Sequence, residues 1–486
     1  MSKTIKPEVS RRDFFSRMTD GVYGGALAYL LGGDLFLSNP ALAATGERKV
    51  YDLMPGKPHF EPKAKALIHL FMSGGPSQLD LFDPKPMLKK YEGQPPSREI
   101  ANDIEFIEDA GGLMPSPFKF ARHGQSGIEI SELMPHLAKQ ADDLAVIRST
   151  VTTHFNHEPA IFMFQSGSVF SGRPSTGAWV VYGLGTENQN LPAYVVLDDP
   201  KGMPINGIQN WQTGWLPPVY QGTRMRSTGS PLLNLSPKEE YPVPVLDMAR
   251  SMLDRLNDAH RNQRPQEQRL DARISSYELA ARMQISATDA LDVSQESPAT
   301  QEMYGMNNDA SASYGRRCLM ARRLVERGVR VVQIFVNDQI WDQHADLKSG
   351  LRTCCEKTDQ PIGALIKDLK QRGLLDSTLI VWGGEFGRMP LSQIDSRRKS
   401  SFGRDHQPAA FTTWMAGGGI KGGTVYGATD EIGFKPVENP VSIHDFHATI
   451  LHLLGMDHLK LVYNHQGLGE RLTGVVPAKV VKGIVA

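Results

Sequence analysis

Cysteine is nearly absent. The 486 residues hold 3 of them, Cys318 and the adjacent Cys354 and Cys355. No pairing leaves none over and no spacing suits a thiolate metal site, so disulfides do not hold this fold together. Net charge is missing too, with Lys+Arg and Asp+Glu balanced at 53 each. That removes the electrostatic drive toward nucleic acid or an anionic membrane. No internal repeat stands out. The weakly apolar run from Gly21 to Leu37 is short for a bilayer and is interrupted by Gly32, Gly33 and Asp34. What remains is the composition of a soluble globular protein, long enough for one large α/β unit with insertions.

Ser10-Arg11-Arg12-Asp13-Phe14-Phe15 precedes the apolar run and Ala41-Leu42-Ala43 follows it. This resembles a twin-arginine export signal cleaved after Ala43, with a membrane anchor as the alternative. No cysteine stands at the cleavage site to carry a lipid. The expected division is a signal over residues 1–43, a Pro-, Gly- and charge-rich arm over 44–63, one α/β domain over 64–475 and a tail over 476–486. The mature chain is expected in the periplasm, at the cell surface or secreted, without a membrane span. The twin-arginine route carries folded cargo, which suits a protein that loads a metal before export.

The chemistry is expected at strand ends. Thr378-Leu379-Ile380-Val381-Trp382 reads as a buried strand running into Gly383-Gly384-Glu385-Phe386-Gly387-Arg388. Ala66 to Met72 runs likewise into Ser73-Gly74-Gly75-Pro76, with Asp80 and Asp83 beyond. A third strand, Leu144 to Arg148, leads to Thr152, Thr153, His154 and His157, the last at the start of a helix from about Glu158 to Gln165. Free N–H groups at a helix start favour an anion there. Ala193 to Leu197 is a further strand. Its long loop carries Trp211 and Trp215, which either wall a substrate or pin the loop to the core.

A helical pattern broken at Pro265 spans Val245 to Ser286, and Ser286 to Ala312 reads as a polar, mobile connection. Together they make a helical insertion at about 245–312. Tyr91 to Gly127 reads as loop. From Cys318 onward helix and strand alternate: a strand over Val329 to Val336, then Trp341-Asp342-Gln343-His344, a helix from about Thr353 to Arg372, and a strand over Ala410 to Met415. A last helix runs from Ile443 to Leu454. That rhythm predicts a parallel sheet with helices on both faces, which places ligands at the carboxyl ends of the strands.

The strand-end groups are Asp80, His157, Asp342, His344, Glu385, Asp405 and His406, oxygen and imidazole donors only. They suit zinc, manganese, iron or calcium. Arg388 and Arg404 stand near enough in sequence to hold an anion.

Three segments resemble the alkaline phosphatase and sulfatase superfamily. Thr378 to Gly387 is similar to its T-L-I-V-F-T-S-D-H-G segment, with Glu385 on the metal-binding aspartate and Phe386 in place of the adjacent histidine. His157-Glu158-Pro159-Ala160 through Ser166-Gly167 resembles the C-T-P-S-R-x-x-x-x-T-G helix start, with His157 where the modified cysteine stands. Ile443 to Leu451 resembles the D-L-x-P-T-L-L helix, and His406 falls on a late metal histidine. The resemblance implies an alkaline-phosphatase-like three-layer sandwich over about residues 64–475 and a metal-dependent hydrolase of phosphate, sulfate or related anionic esters, glycans among them. A non-catalytic envelope protein that binds a glycan or protein partner is the alternative.

The departures are specific. The first strand ends in Ser73-Gly74-Gly75 rather than an aspartate, leaving Asp80 as its stand-in. The usual Ser, Thr or Cys nucleophile is missing. In the hydrolase reading Asp342, His344, Glu385 and His406 hold one or two divalent ions, and metal-bound water attacks, or His157 serves as ligand, general acid or base, or nucleophile. Thr152, Thr153 and Ser166 are near in sequence only.

Overall fold

The computed structural model describes residues 52–229, 243–264, 268–394 and 402–486, so residues 1–43, expected to be an export signal, lie outside the described residues. Two compact units divide the chain: residues 51–242 with 268–486, and residues 1–50 with 243–267. Of the second unit, one helix is described, Val243–Gln263.

Nine strands build the central sheet of the larger unit: β1 (Ala66–Phe71), β2 (Leu144–Val151), β3 (Tyr194–Leu197), β4 (Thr223–Arg224), β5 (Val331–Phe335), β6 (Thr378–Gly383), β7 (Phe411–Ala416), β8 (Thr424–Tyr426) and β9 (Val441–Ser442). They lie in the order β8-β2-β7-β6-β1-β5-β3-β4, with β9 also paired to β2. All pairings are parallel except those of β7, which runs against both β2 and β6.

Both faces are buried, and the two-residue period of a strand sorts the side chains between them. Along β1, Ile68 and Leu70 join one apolar cluster and Leu67 and Phe71 the other. The first cluster is covered by α5 (Ala312–Glu326) and α6 (Leu347–Gln371). The second is covered by α1 (His157–Ser166), α2 (Thr176–Leu184) and α7 (Ile443–Leu453). The result is an α/β three-layer sandwich. Register is reinforced where Trp382 of β6 lies opposite Trp414 of β7, their rings stacked at 5.8 Å.

The reversed strand β7 positions the site. Residues before an antiparallel strand emerge at the edge where its parallel neighbours end, so Arg404 to Gln407 reach the carboxyl edge of β1, β2, β5 and β6.

Two expectations for local structure are corrected. Ser286 to Ala312 is ordered: α4 (Gln268–Leu291) continues through its first part, and a short helix, Pro298–Met303, follows with Ser297 accepting from the Thr300 N–H. Its residues are polar because they are ion-paired, Glu296 with Arg322 and Arg323, while the buried Tyr304 donates to Asp368 at 3.0 Å. Apolar periodicity carries no trace of such an arrangement. The Tyr91 to Gly127 stretch contains strand Ala110–Leu113, paired with Leu391–Gln393, and Phe120–His123, paired with Ile128–Ser131. The tail packs down, with Val481 and Ile484 buried and the Ala486 N–H on the Gly419 carbonyl.

Candidate metal centre

His157 is the first residue of α1, which starts without a side-chain cap at Asn156 and ends where Gly167 turns left-handed, φ 71°. A Cβ on Gly167 would stand 2.4 Å from the Leu472 carbonyl oxygen, so only glycine closes this helix without displacement. Asp342 and His344 lie on the loop after β5, Glu385 on the turn after β6, and His406 on a two-residue ladder with Gly387–Arg388 that precedes β7. Two non-glycine residues in left-handed backbone, Asp338 and Asp346, bracket the Asp342 loop.

The side chains converge on the Asp342 carboxylate. His344 Nε2 is 3.0 Å and His406 Nε2 3.2 Å from Oδ1, and His157 Nε2 is 3.4 Å from Oδ2. One donor atom from each of His157, Asp342, His344 and His406 lies within 4.8 Å of all the others. Behind the imidazoles stand oxygen acceptors. Glu385 Oε1 is 2.6 Å from His157 Nδ1, and Gln393 Oε1 is 2.5 Å from His344 Nδ1. An imidazole whose Nδ1–H donates to such an oxygen presents a lone pair at Nε2 once it carries a single proton, so in that state both rings offer a ligand-competent nitrogen on the side of Asp342. His157 Nε2 is buried and has no hydrogen-bond partner within the protein. Side-chain exposure is 11–13% at His157, His406 and Asp342 but 37% at His344, which marks the open side of the cluster.

Charge is unevenly shared. Burial opposes a charged His157, but Asp342 and Glu385 on either side outweigh it and push the pKa up to about 9. Burial would raise the Asp342 pKa, yet His157, His344, His406 and Arg388 together hold it far below the carboxylate range. Burial lowers His406 to about 3, aided by the positive charge of Arg388 and His157 and opposed by its bond to Asp342.

The remaining expected residues surround the four without belonging to them. Glu385 is fully buried, its Oε1 also accepting from the Gly74 N–H at 2.8 Å, and it touches the cluster only through His157. Arg388 is buried too. It meets Asp342 Oδ1 at 2.6 Å and also donates to the Gly74, Gly75 and Arg404 carbonyls, so its N–H groups are engaged inside the protein. Asp80 lies outside the cluster of four. It is locked to Arg404 at 2.8 Å, both side chains fully buried, and it accepts from Ser77 at 2.5 Å. Asp80 and Arg404 therefore form an internal ion pair, which leaves neither open to an ion or an anion at the cluster. Asp405 Oδ1 stands 3.7 Å from His344 Nδ1.

Ser166, at the far end of α1, donates to the Phe162 carbonyl and lies on the order of 13 Å along the helix from His157. Thr152 Oγ1 is buried without a partner within the protein. Trp211 packs on Phe335, and Trp215 stacks on Tyr463 and His465, so both pin the loop. Gln393 and the Gly74 N–H were not foreseen. Gln393 carries no signal in sequence, because its place beside His344 comes from the ladder with Ala110–Leu113.

No helix among the described residues is long and apolar enough to cross a membrane. No curated protein matches the sequence. Solved structures that match include Ps i-CgsB in complex with k-i-k-neocarrahexaose, at 10% identity over 82% of this chain and 72% of that one, with a TM-score of 0.36. The PsFucS1 sulfatase from Pseudoalteromonas sp. is 12% identical over 82% of this chain and 68% of that one, TM-score 0.35. Alkaline phosphatase from the Antarctic bacterium TAB5 is 12% identical over 81% of this chain and 98% of that one, TM-score 0.31. Identities this low say nothing of what the present chain acts on. One family profile matches residues 64–485, all nine strands and the whole cluster included, and the chain belongs to that family, described as a protein of unknown function, DUF1501.

Proposed function

We propose that the chain is a metal-dependent hydrolase of phosphate, sulfate or related anionic esters, with a divalent ion held by His157, Asp342, His344 and His406. The observation that carries this reading is the convergence of three imidazole Nε2 atoms on one carboxylate, with oxygen acceptors behind two of them. Three nitrogens and one carboxylate suit zinc, manganese or iron better than calcium, which takes oxygen ligands. When bound, such an ion polarises an ester oxygen and lowers the pKa of a bound water.

The chain's own residues then divide the work. Asp342 supplies the negative charge and Arg388 fixes its orientation. Glu385 and Gln393 hold the tautomers of His157 and His344 and act as positioning residues rather than ligands. Arg388 and Arg404 brace the loops instead of gripping substrate. His157 serves as a ligand, and water replaces the missing side-chain nucleophile. The resemblance of residues 10–43 to an export signal supports activity outside the cytoplasm, and a sulfated or phosphorylated glycan is within the proposed substrate range.

One observation favours the alternative of a non-catalytic binding protein: Asp342 Oδ1 is already met by Arg388, His344 and His406, so the cluster is neutralised internally. The deciding experiment is a p-nitrophenyl phosphate, sulfate and phosphonate screen of zinc- and manganese-loaded protein, with Asp342→Ala and His157→Ala beside it. Metal-dependent turnover lost in both variants supports the hydrolase. Metal uptake without turnover on any ester supports the binding protein.

A further inference from the structure

An open cleft of about 620 Å³, within the range of small-ligand sites, lies against α1 and takes Glu158, the residue after His157, into its wall. One wall is α1 itself, where Glu158 and Phe162 share the face next to that of His157, four residues apart on one helix. The other is the loop bearing Met203, Ile208 and Gln209. That loop is tied to both sides of the metal centre. Asn206 donates to the Glu158 carbonyl at 2.9 Å, and the Met203 carbonyl accepts from the Asp338 N–H at 3.0 Å, four residues before Asp342. Met203 and Ile208 are 43% and 62% exposed and give the cleft wall its apolar surface. Glu158 is the sole ionisable residue among those lining the cleft.

Resting on the ester reading above, we propose that this cleft holds the non-reacting part of the substrate and selects for an uncharged, partly apolar group such as an aryl or alkyl moiety. The anionic head sits at His157, Asp342, His344 and His406. The body of the molecule lies along Phe162, Met203 and Ile208, with Gln209 within the same wall for a polar substituent. Glu158 repels a second negative charge, so a polyanionic chain is the poorer ligand here.

The test is calorimetric titration of zinc-loaded protein with phenylphosphonate and methylphosphonate, which share an anionic head but have no ester to cleave. Phenylphosphonate is expected to bind about tenfold more tightly, the return from burying on the order of 50–60 Å² of apolar surface. Ile208→Asn, a change at an exposed position that adds no charge, should erase that preference and leave methylphosphonate binding unaltered. Equal affinity for the two ligands in wild type, or a preference that survives in Ile208→Asn, refutes the cleft assignment alone. If the protein takes up none of zinc, manganese and iron, or takes one up and binds neither phosphonate, the ester reading fails and the cleft assignment falls with it.

Discussion

Replacing Glu385 with Gln removes one buried charge and keeps the size of the side chain. Its Oε1 lies 2.6 Å from His157 Nδ1, a hydrogen bond between charged partners worth about 1.5–3 kcal/mol. If the bond fixes the His157 tautomer, metal affinity should fall roughly 10–100-fold, the usual cost of losing such a partner. Proton competition works in the opposite direction. With the His157 pKa at about 9, an ion binding at pH 7 must first displace a proton, at a cost of about 3 kcal/mol. Glu→Gln lowers that pKa and eases the displacement. The loss should therefore be full near pH 9.5 and partly masked at pH 7. Competition titrations of zinc against a calibrated chelator at both pH values read the two effects separately. Equal affinity of wild type and variant at pH 9.5 would refute the positioning role. A loss that grows as pH falls would refute the proton bookkeeping.

Two buried imidazoles make the fold acid-sensitive. Burial lowers His69 to about 3, helped by the nearby His447, and burial lowers His447 to about 3 against its bond to the Phe164 carbonyl. Both groups protonate in the unfolded chain near pH 6.5, so their stability is complete above that pH. It is lost toward pH 3 by up to about 1.4 kcal/mol per pH unit each. Asp359, lifted by burial to about 6 despite accepting from the Leu137 and His136 N–H groups, binds its proton more tightly when folded and offsets part of this between pH 4 and 6. Urea midpoints at pH 7, 6 and 5 should fall, and the fall should be shallower in His447→Gln; an unchanged slope contradicts the assignment. Arg404→Met strands Asp80 and should cost about 3–5 kcal/mol in denaturant unfolding, with most of it recovered in the Asp80→Asn double variant. Bound zinc should be unchanged in the double variant; its loss would make Asp80 part of the metal centre.

The sheet was legible because its strands are short β-prone runs punctuated by Gly, Pro and polar turns, and both faces are buried. Ala66–Phe71 and Thr378–Gly383 needed little else. Placing polar residues at strand ends nominates Asp342, His344, Glu385, His406 and Asp80 as ligands and His157 as a catalytic group, whereas the geometry gathers His157, Asp342, His344 and His406. That rule ranks residues by where the backbone leaves them, and it cannot say which way a side chain turns. Asp80 and Arg404 satisfy it equally well, yet a short helix, Gln78–Leu81, turns Asp80 inward onto the guanidinium. Gln393 was out of reach because a pairing with residues some 280 positions away creates its role. The polar stretch before α5 misled for a related reason: ion pairs order it, and charge pairing has no period to read.

The most direct test is the metal content of the purified protein, wild type beside Asp342→Ala, with His344→Ala as a second ligand deletion at the more exposed imidazole. Near-stoichiometric zinc, manganese or iron in wild type, lost in both variants while the thermal unfolding of the metal-free forms stays within a few degrees, is the predicted result. A folded wild-type protein that carries no metal and takes none up on reloading would contradict the metal centre.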